Sequence, residues 1–124
     1  MSRSKDESML LNALIRTAWP FMQLYRVNVG RVKTEDGYWF DTGVPKGYPD
    51  LHGIIPAKCT VHGHAVPVFI EAKIHPNKPT PEQLKFLHQK RQEGCLAAVC
   101  YSVKDFWDLV APVLRRDRAE DGDW

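Results

Sequence analysis

Three cysteines in 124 residues are too few to staple a fold. Cys59, Cys95 and Cys100 show no paired spacing, which argues against a disulfide framework. Cys95 and Cys100 lie in or beside the apolar run 96–101 and read as small buried hydrophobes. Long apolar runs are missing as well. No window approaches the about 20 consecutive apolar residues that a membrane-spanning helix needs. Residues 1–7 are polar and of mixed charge, without the apolar core of a secretory signal. A cytoplasmic protein with no membrane partner is expected. Repeats, low-complexity segments and an interdomain linker are also lacking. The chain therefore reads as one domain over 1–124, with a core at about 5–115 and a frayed tail at 116–124.

A large charge of one sign is absent too, since the formal net charge is only +2. The basic residues nevertheless cluster: Arg26, Arg31 and Lys33; then Lys78, Lys85, Lys90 and Arg91; then Arg115, Arg116 and Arg118. Glu120, Asp121 and Asp123 lower the total at the tail. On charge alone, a basic face for nucleic acid and a solvated surface of mixed sign stay equally open.

What is present is a succession of helix and strand signals. Leu10, Leu14, Thr17, Ala18 and Phe21 recur at helical spacing and predict a helix over about 5–19. Ser4 and Glu7 fit a capping box at its start, and Pro20 ends it. Glu7 also shares a face with Leu10, Leu11 and Leu14, at the rim of the buried stripe, where a carboxylate could reach a site at the sheet edge. Tyr25, Val27 and Val29 alternate with Arg26 and Asn28, which predicts one half-exposed strand over 24–34. Gly30 interrupts it as a bulge or a close backbone approach. Asp36-Gly37 marks a turn, and Tyr38-Trp39-Phe40 returns as a short aromatic strand. These aromatics and Trp107 read as core residues first and as a dimer surface second.

The Gly- and Pro-rich loop 42–49 ends at Asp50. Residues 51–57 and 66–74 read as a hairpin with its tip at 58–65, and Val68-Phe69-Ile70 as a strand buried on both faces. Thr80-Pro81-Glu82-Gln83 is a helix start with a capping box, and Gly94 is the stop. Residues 96–101 form a further strand. Ser102 and Asp105 open a last helix, which Pro112 breaks. The order is α-β-β-β-β-α-β-α, an α/β fold with a mixed sheet flanked by helices. The helix between the Glu71 strand and the Leu96 strand suits a crossover between parallel neighbours.

The chemistry collects between Gly47 and Lys73. Residues two apart on a strand point to one side, so Glu71 and Lys73 share a face. Burying an acid and a lysine in an apolar strand is costly without a purpose. Asp50 begins the partner strand, and the hairpin brings it to the same end of the ladder as Glu71. Two carboxylates with one ammonium suit phosphodiester hydrolysis. Hard oxygen ligands hold Mg²⁺ or Mn²⁺. The metal acidifies a bound water, and the lysine orients that water or neutralises the transition state. The plainer alternative is a surface ion pair of Glu71 with Lys73, contributing about 0–1 kcal/mol, with Asp50 as a turn residue. The joint pattern favours the site.

Other residues compete for roles. Cys59, His62 and His64, with His75 as a fourth, are ligand types that zinc accepts, although their spacing is not that of a finger. His52 reads as a core-edge histidine, with phosphate contact as the alternative. Arg26, Asn28 and Arg31 stand where one strand face could meet phosphates, and Lys78 is a further candidate DNA contact.

Taken together, G-Y-P-D-L-H-G at 47–53, V-F-I-E-A-K at 68–73, T-P-E-Q-L-K-F-L at 80–87 and G-C-L-A-A-V-C-Y-S-V-K-D-F at 94–106 carry a family resemblance. They resemble the VRR-NUC (virus-type replication-repair nuclease) branch of the PD-(D/E)XK nucleases. The resemblance covers residues 43–106, with weaker matches at 7–14 and 26–30. It implies a restriction-endonuclease-like core. It implies Asp50 and Glu71 as metal ligands, the Ala72 carbonyl as a third, Glu7 as a further one, and Lys73 as catalytic. Gln83 matches the helix glutamine of the branch and Glu7 its first-helix acid, so both join the expected catalytic set. The implied activity is that of a Mg²⁺- or Mn²⁺-dependent endodeoxyribonuclease without an organic cofactor. The implied assembly is a homodimer that cuts branched DNA such as Holliday junctions. The residues by themselves leave open a catalytically silent nucleic-acid-binding module, a flap or duplex nuclease without junction preference, and a small scaffold domain.

Overall fold

The computed structural model describes residues 5–115. Ser4, Arg116, Arg118 and the acidic tail lie outside the described residues, and with them the Ser4 half of the expected capping box. The elements run α1 (Lys5–Ala18), β1 (Gln23–Arg26), β2 (Arg31–Lys33), β3 (Trp39–Asp41), β4 (Leu51–Ile55), β5 (Val66–Ala72), α2 (Pro81–Gln92), β6 (Leu96–Cys100) and α3 (Val103–Val110). A mixed sheet in the order β1-β4-β5-β6 is flanked by the helices. β1 and β5 both pair antiparallel to β4, and β6 runs parallel to β5, as the helix-length connection predicts.

One expected strand is two. The run 24–34 divides into β1, which joins the main sheet, and β2, which pairs only with β3 in a separate hairpin. Pairing with the sheet ends at Arg26, and Gly30, whose φ of +84° lies in the left-handed region, turns the chain immediately before β2. A Cβ at Gly30 would meet nothing within 4 Å, so the residue is a corner and neither a bulge nor a close approach. The element order consequently gains a strand, α-β-β-β-β-β-α-β-α. Close backbone approach occurs instead at Gly53, where an added Cβ would stand 2.2 Å from the Gln23 carbonyl oxygen of β1.

Alternation along β5 sorts the interior. Val68, Ile70 and Ala72 pack on one side with Leu11, Leu14 and Ala18 of α1 and with Phe106 and Val110 of α3. Leu11 is fully buried, whereas Leu10, which the sequence places at the stripe's centre, packs at its edge. Phe69 points to the other side, with Leu87 of α2, Ala97 of β6 and the flanking Tyr48 and Phe86. Glu71 follows Phe69 by two residues and so belongs to this second face, over which α2 lies.

The helix signals hold at the described ends. Thr80 and Gln83 form the full capping box of α2, and Ser102 accepts from the Asp105 N–H at 3.2 Å to start α3. α3 stops at Val110, ahead of Pro112. Cys59 and Cys100 are buried in the first core, and Cys95 is half-buried beside the second. The aromatic strand departs from expectation. Tyr38, Trp39 and Phe40 are 74%, 57% and 49% exposed, so they are not core residues. The physical reason is that the short β2–β3 hairpin pairs only with itself among the described residues, which leaves these rings exposed. Trp107 is intermediate in character, 38% exposed yet packed on Phe21 and Phe106.

Candidate active site

Asp50 is set by the turn before β4. Continuing the β4–β5 register from Leu51↔Ile70 by one step places Asp50 opposite Glu71. The Ala72 N–H donates to Asp50 Oδ2 at 2.9 Å, and the Val27 N–H donates to the Asp50 carbonyl at 2.9 Å. The loop before it is pressed against the start of α2. Gly47 has φ +92°, and a Cβ there would stand 2.8 Å from the Glu82 carbonyl oxygen. Tyr48 packs its ring on Phe69 and Phe86. The acid is thus gripped from two sides. Asp50 is 7% exposed and Glu71 3%, a degree of burial that carboxylates rarely reach without partners.

One oxygen of Glu71 meets both a hydrogen-bond donor and a neighbouring positive charge. The Gln83 side-chain amide donates to Glu71 Oε1 at 2.9 Å, and Lys73 Nζ lies 3.7 Å from the same atom. Lys73 is carried past the strand end by its own N–H, which donates to the Cys100 carbonyl at 3.1 Å. Gln83 performs both roles that its position allows. Its Oε1 accepts from the Thr80 N–H at 2.8 Å, closing the capping box, while its Nε2 serves Glu71. A side-chain amide has one accepting and one donating end, and here each end is used. The expected strand-face pairing of Glu71 with Lys73 and the expected approach of Gln83 are therefore both present as contacts.

These residues open on one cleft of about 710 Å³. Glu7, Asp50, Glu71, Lys73 and Gln83 line it together, so the first helix, the hairpin and α2 all contribute. Its other walls carry Asn28, Arg31, Lys33, Trp39, Lys46 and Thr80. Acids and bases are therefore gathered in one depression. Lys46 also lies 3.8 Å from Glu82, whose carboxyl is held below its ordinary range by its own backbone N–H and then by Lys46.

The candidate DNA contacts divide. Asn28 and Arg31 line the cleft, whereas Arg26 turns to α1, its guanidinium donating to Asn12 Oδ1 at 2.8 Å and to the Ser8 carbonyl at 3.5 Å. Arg26 and Arg31 sit on different strands, so they do not share a strand face. Lys78 is exposed in the loop before α2, outside the cleft lining. Two other basic residues are structural. Lys90 lies over the Phe69 and Phe86 rings and beside Glu93, and Arg91 Nε donates to the Ala97 carbonyl at 2.7 Å. Sequence reasoning overlooked Lys46 and placed Trp39 elsewhere. The compact G-x-x-K-G-Y-P-D loop was the available signal for Lys46, since it sits within the tight turn closed by the Tyr48 N–H on the Pro45 carbonyl, just ahead of Asp50.

The competing donors are dispersed. Cys59 is buried, with its thiol 3.9 Å from the Phe21 carbonyl, while His62 and His64 stack on each other at the exposed hairpin tip. His75 stacks on Tyr101. His52 stacks on Phe69 with ring centres 4.6 Å apart, the core-edge position, and faces a second groove of about 570 Å³ lined by Trp19, Tyr25 and Ile54. That groove contains no carboxylate.

Asp50 and Glu71 fit a hard divalent cation by donor type. Both are buried carboxylates oriented by N–H donors, and the Ala72 peptide between them in the fold carries a carbonyl oxygen. Mg²⁺ typically takes one or two carboxylates and completes its shell with water. Among the described residues no three His, Cys, Asp or Glu side chains gather into a single ligand group. Glu7 therefore lines the cleft without closing a third carboxylate around Asp50 and Glu71. Scans against models of protein families, against curated proteins and against solved structures return no match.

Proposed function

We propose that this cleft is the active site of a metal-dependent DNA endonuclease. The observation that carries the reading is the burial of Asp50, in the turn before β4, opposite the buried Glu71 of β5, with Lys73 Nζ 3.7 Å from Glu71. Two desolvated carboxylates side by side are a poor stability device and a good cation site. On this reading the sheet β1-β4-β5-β6 is a restriction-endonuclease-like core of the VRR-NUC type. The substrate is branched DNA such as a four-way junction, and the working unit is a homodimer.

Asp50, Glu71 and the Ala72 carbonyl would hold Mg²⁺ or Mn²⁺, which when bound supplies Lewis acidity and an acidified water. The chain's own residues do the rest. Gln83 fixes the rotamer of Glu71 from the first turn of α2. Lys73 holds a positive charge beside the carboxylates and offsets the negative charge that grows on the phosphoryl oxygens. Arg31, Lys33 and Lys46 on the walls hold phosphates of the bound strand.

The test is cleavage of branched, flapped, duplex and single-stranded DNA with Mg²⁺, Mn²⁺ or EDTA. Wild-type protein cuts in metal and not in EDTA. Lys73→Ala lowers the rate by about 10²- to 10³-fold while leaving DNA affinity intact. Cleavage that survives both Asp50→Ala and Lys73→Ala refutes the assignment. Tight, salt-sensitive binding without cleavage identifies a silent nucleic-acid-binding module instead.

A further inference from the structure

We propose that the β2–β3 hairpin is a nucleotide-stacking arm. The Trp39 indole takes the face of an unpaired base, and Arg31 and Lys33 hold the phosphates beside it. This rests on the nuclease reading and deepens it by naming the substrate class: branched DNA with unpaired nucleotides next to the scissile bond, as at a flap or an imperfectly paired junction and unlike a fully paired one.

The hairpin is unusual in what it exposes. Tyr38, Trp39 and Phe40 follow one another and are all about half exposed or more. The two strands belong to no larger sheet, so the main core gains nothing from these rings. Trp39 also lines the cleft that holds Asp50 and Glu71. Two cations attend its ring: Arg31 Cζ lies 5.6 Å from the ring centre and Lys33 Nζ 5.8 Å. Both come from β2, two residues apart and so on one side of the hairpin, with Trp39 directly opposite Lys33. Both cations lie over the ring on long side chains, and the indole is still 57% exposed, so a base can take the ring face while the cations move onto the phosphate that adjoins it.

Duplex bases keep their faces inside the stack, so an indole platform takes hold where bases are unpaired. A second copy of the chain is the competing occupant. Interfaces favour aromatics and Arg but are depleted of Lys, and here Lys33 lies over the indole. A partner subunit seated on Trp39 would also cover one wall of the cleft.

Binding is measured with the full chain in EDTA, so that the result does not depend on cleavage. The probes are a short single strand carrying a fluorescent purine analogue that dims on stacking, and the same strand fully paired. Wild-type protein quenches the single strand. Trp39→Ala abolishes the quench and weakens single-strand binding about 5- to 100-fold, with duplex affinity unchanged. Trp39→Phe restores both signals and Trp39→Leu restores neither. Matching melting curves establish that each variant is folded. Unchanged single-strand affinity in Trp39→Ala overturns the proposal. An equal loss for strand and duplex also overturns it, because the wall then reads only phosphates. A shift from dimer to monomer on sedimentation assigns Trp39 to the second copy and overturns it too. Absence of cleavage in the separate metal assay removes the nuclease reading and leaves the stacking result standing as binding.

Discussion

Glu71 and Gln83 meet at a contact that ties a helix cap to a candidate active site. Gln83→Glu separates the two roles. Glutamate still serves as the capping-box acceptor for the Thr80 N–H, but it sets a second carboxylate against Glu71 where an amide donated at 2.9 Å. Loss of a donor to a buried charge costs about 1–3 kcal/mol, and the like charge adds to it. The variant is therefore destabilised at neutral pH and regains stability as acid protonates one of the pair. Denaturant midpoints across pH check this. A wild-type-like pH profile would show that the Gln83–Glu71 contact is not maintained in solution. Cys100 gives a residue-scale test at the opposite end of the pH range. Burial, and then the charge of Asp105, push its thiol from 9.0 up to about 12. A raised folded value means that its contribution is intact below pH about 9 and drains away as pH climbs towards about 12. Cys100→Ala should therefore lose stability less steeply over that interval, as read from unfolding midpoints.

Elements were legible to the extent that their signals were local. The caps of α2 and α3, the proline stops and the β4–β5 hairpin depend on a few adjacent residues, and they appear where the sequence places them. The run 24–34 looks like one strand because a period-two pattern shows neither where pairing stops nor whether a glycine within it adopts positive φ. Here β1 ends at Arg26, and Gly30 turns the chain into β2. The contact that holds β1 to the sheet is instead recorded at Gly53. Gly53→Ala drives a Cβ to 2.2 Å from the Gln23 carbonyl oxygen, which neither backbone can accommodate in place. The expected cost is about 1–3 kcal/mol, with faster amide exchange along β1 and unchanged exchange in β6. Uniform exchange changes across the sheet would refute the local account.

On the proposed nuclease reading, the whole molecule bears on how two strands would be cut. One small cleft suffices for one incision, and two symmetric incisions call for two clefts related by a two-fold axis. Wild-type protein mixed with excess Lys73→Ala should therefore convert paired junction cuts into single nicks, in proportion to the mixed dimers formed. Paired cutting by a species that sediments as a monomer would overturn the dimeric reading. At this scale the sequence alone determined the helices, the β4–β5 hairpin, the parallel crossover and the alignment of Asp50 with Glu71 and Lys73, but not the split of 24–34 into two strands. Strand period, capping and hairpin closure act over short stretches of chain, so those features are encoded where they occur. Only the tertiary structure decided that Arg26 turns to α1 while Arg31 and Lys33 lie over Trp39 at the cleft, and that the one Gln83 amide serves the Thr80 cap and Glu71 at once. These placements follow from how separate segments pack on one another, which no local period or capping pattern specifies.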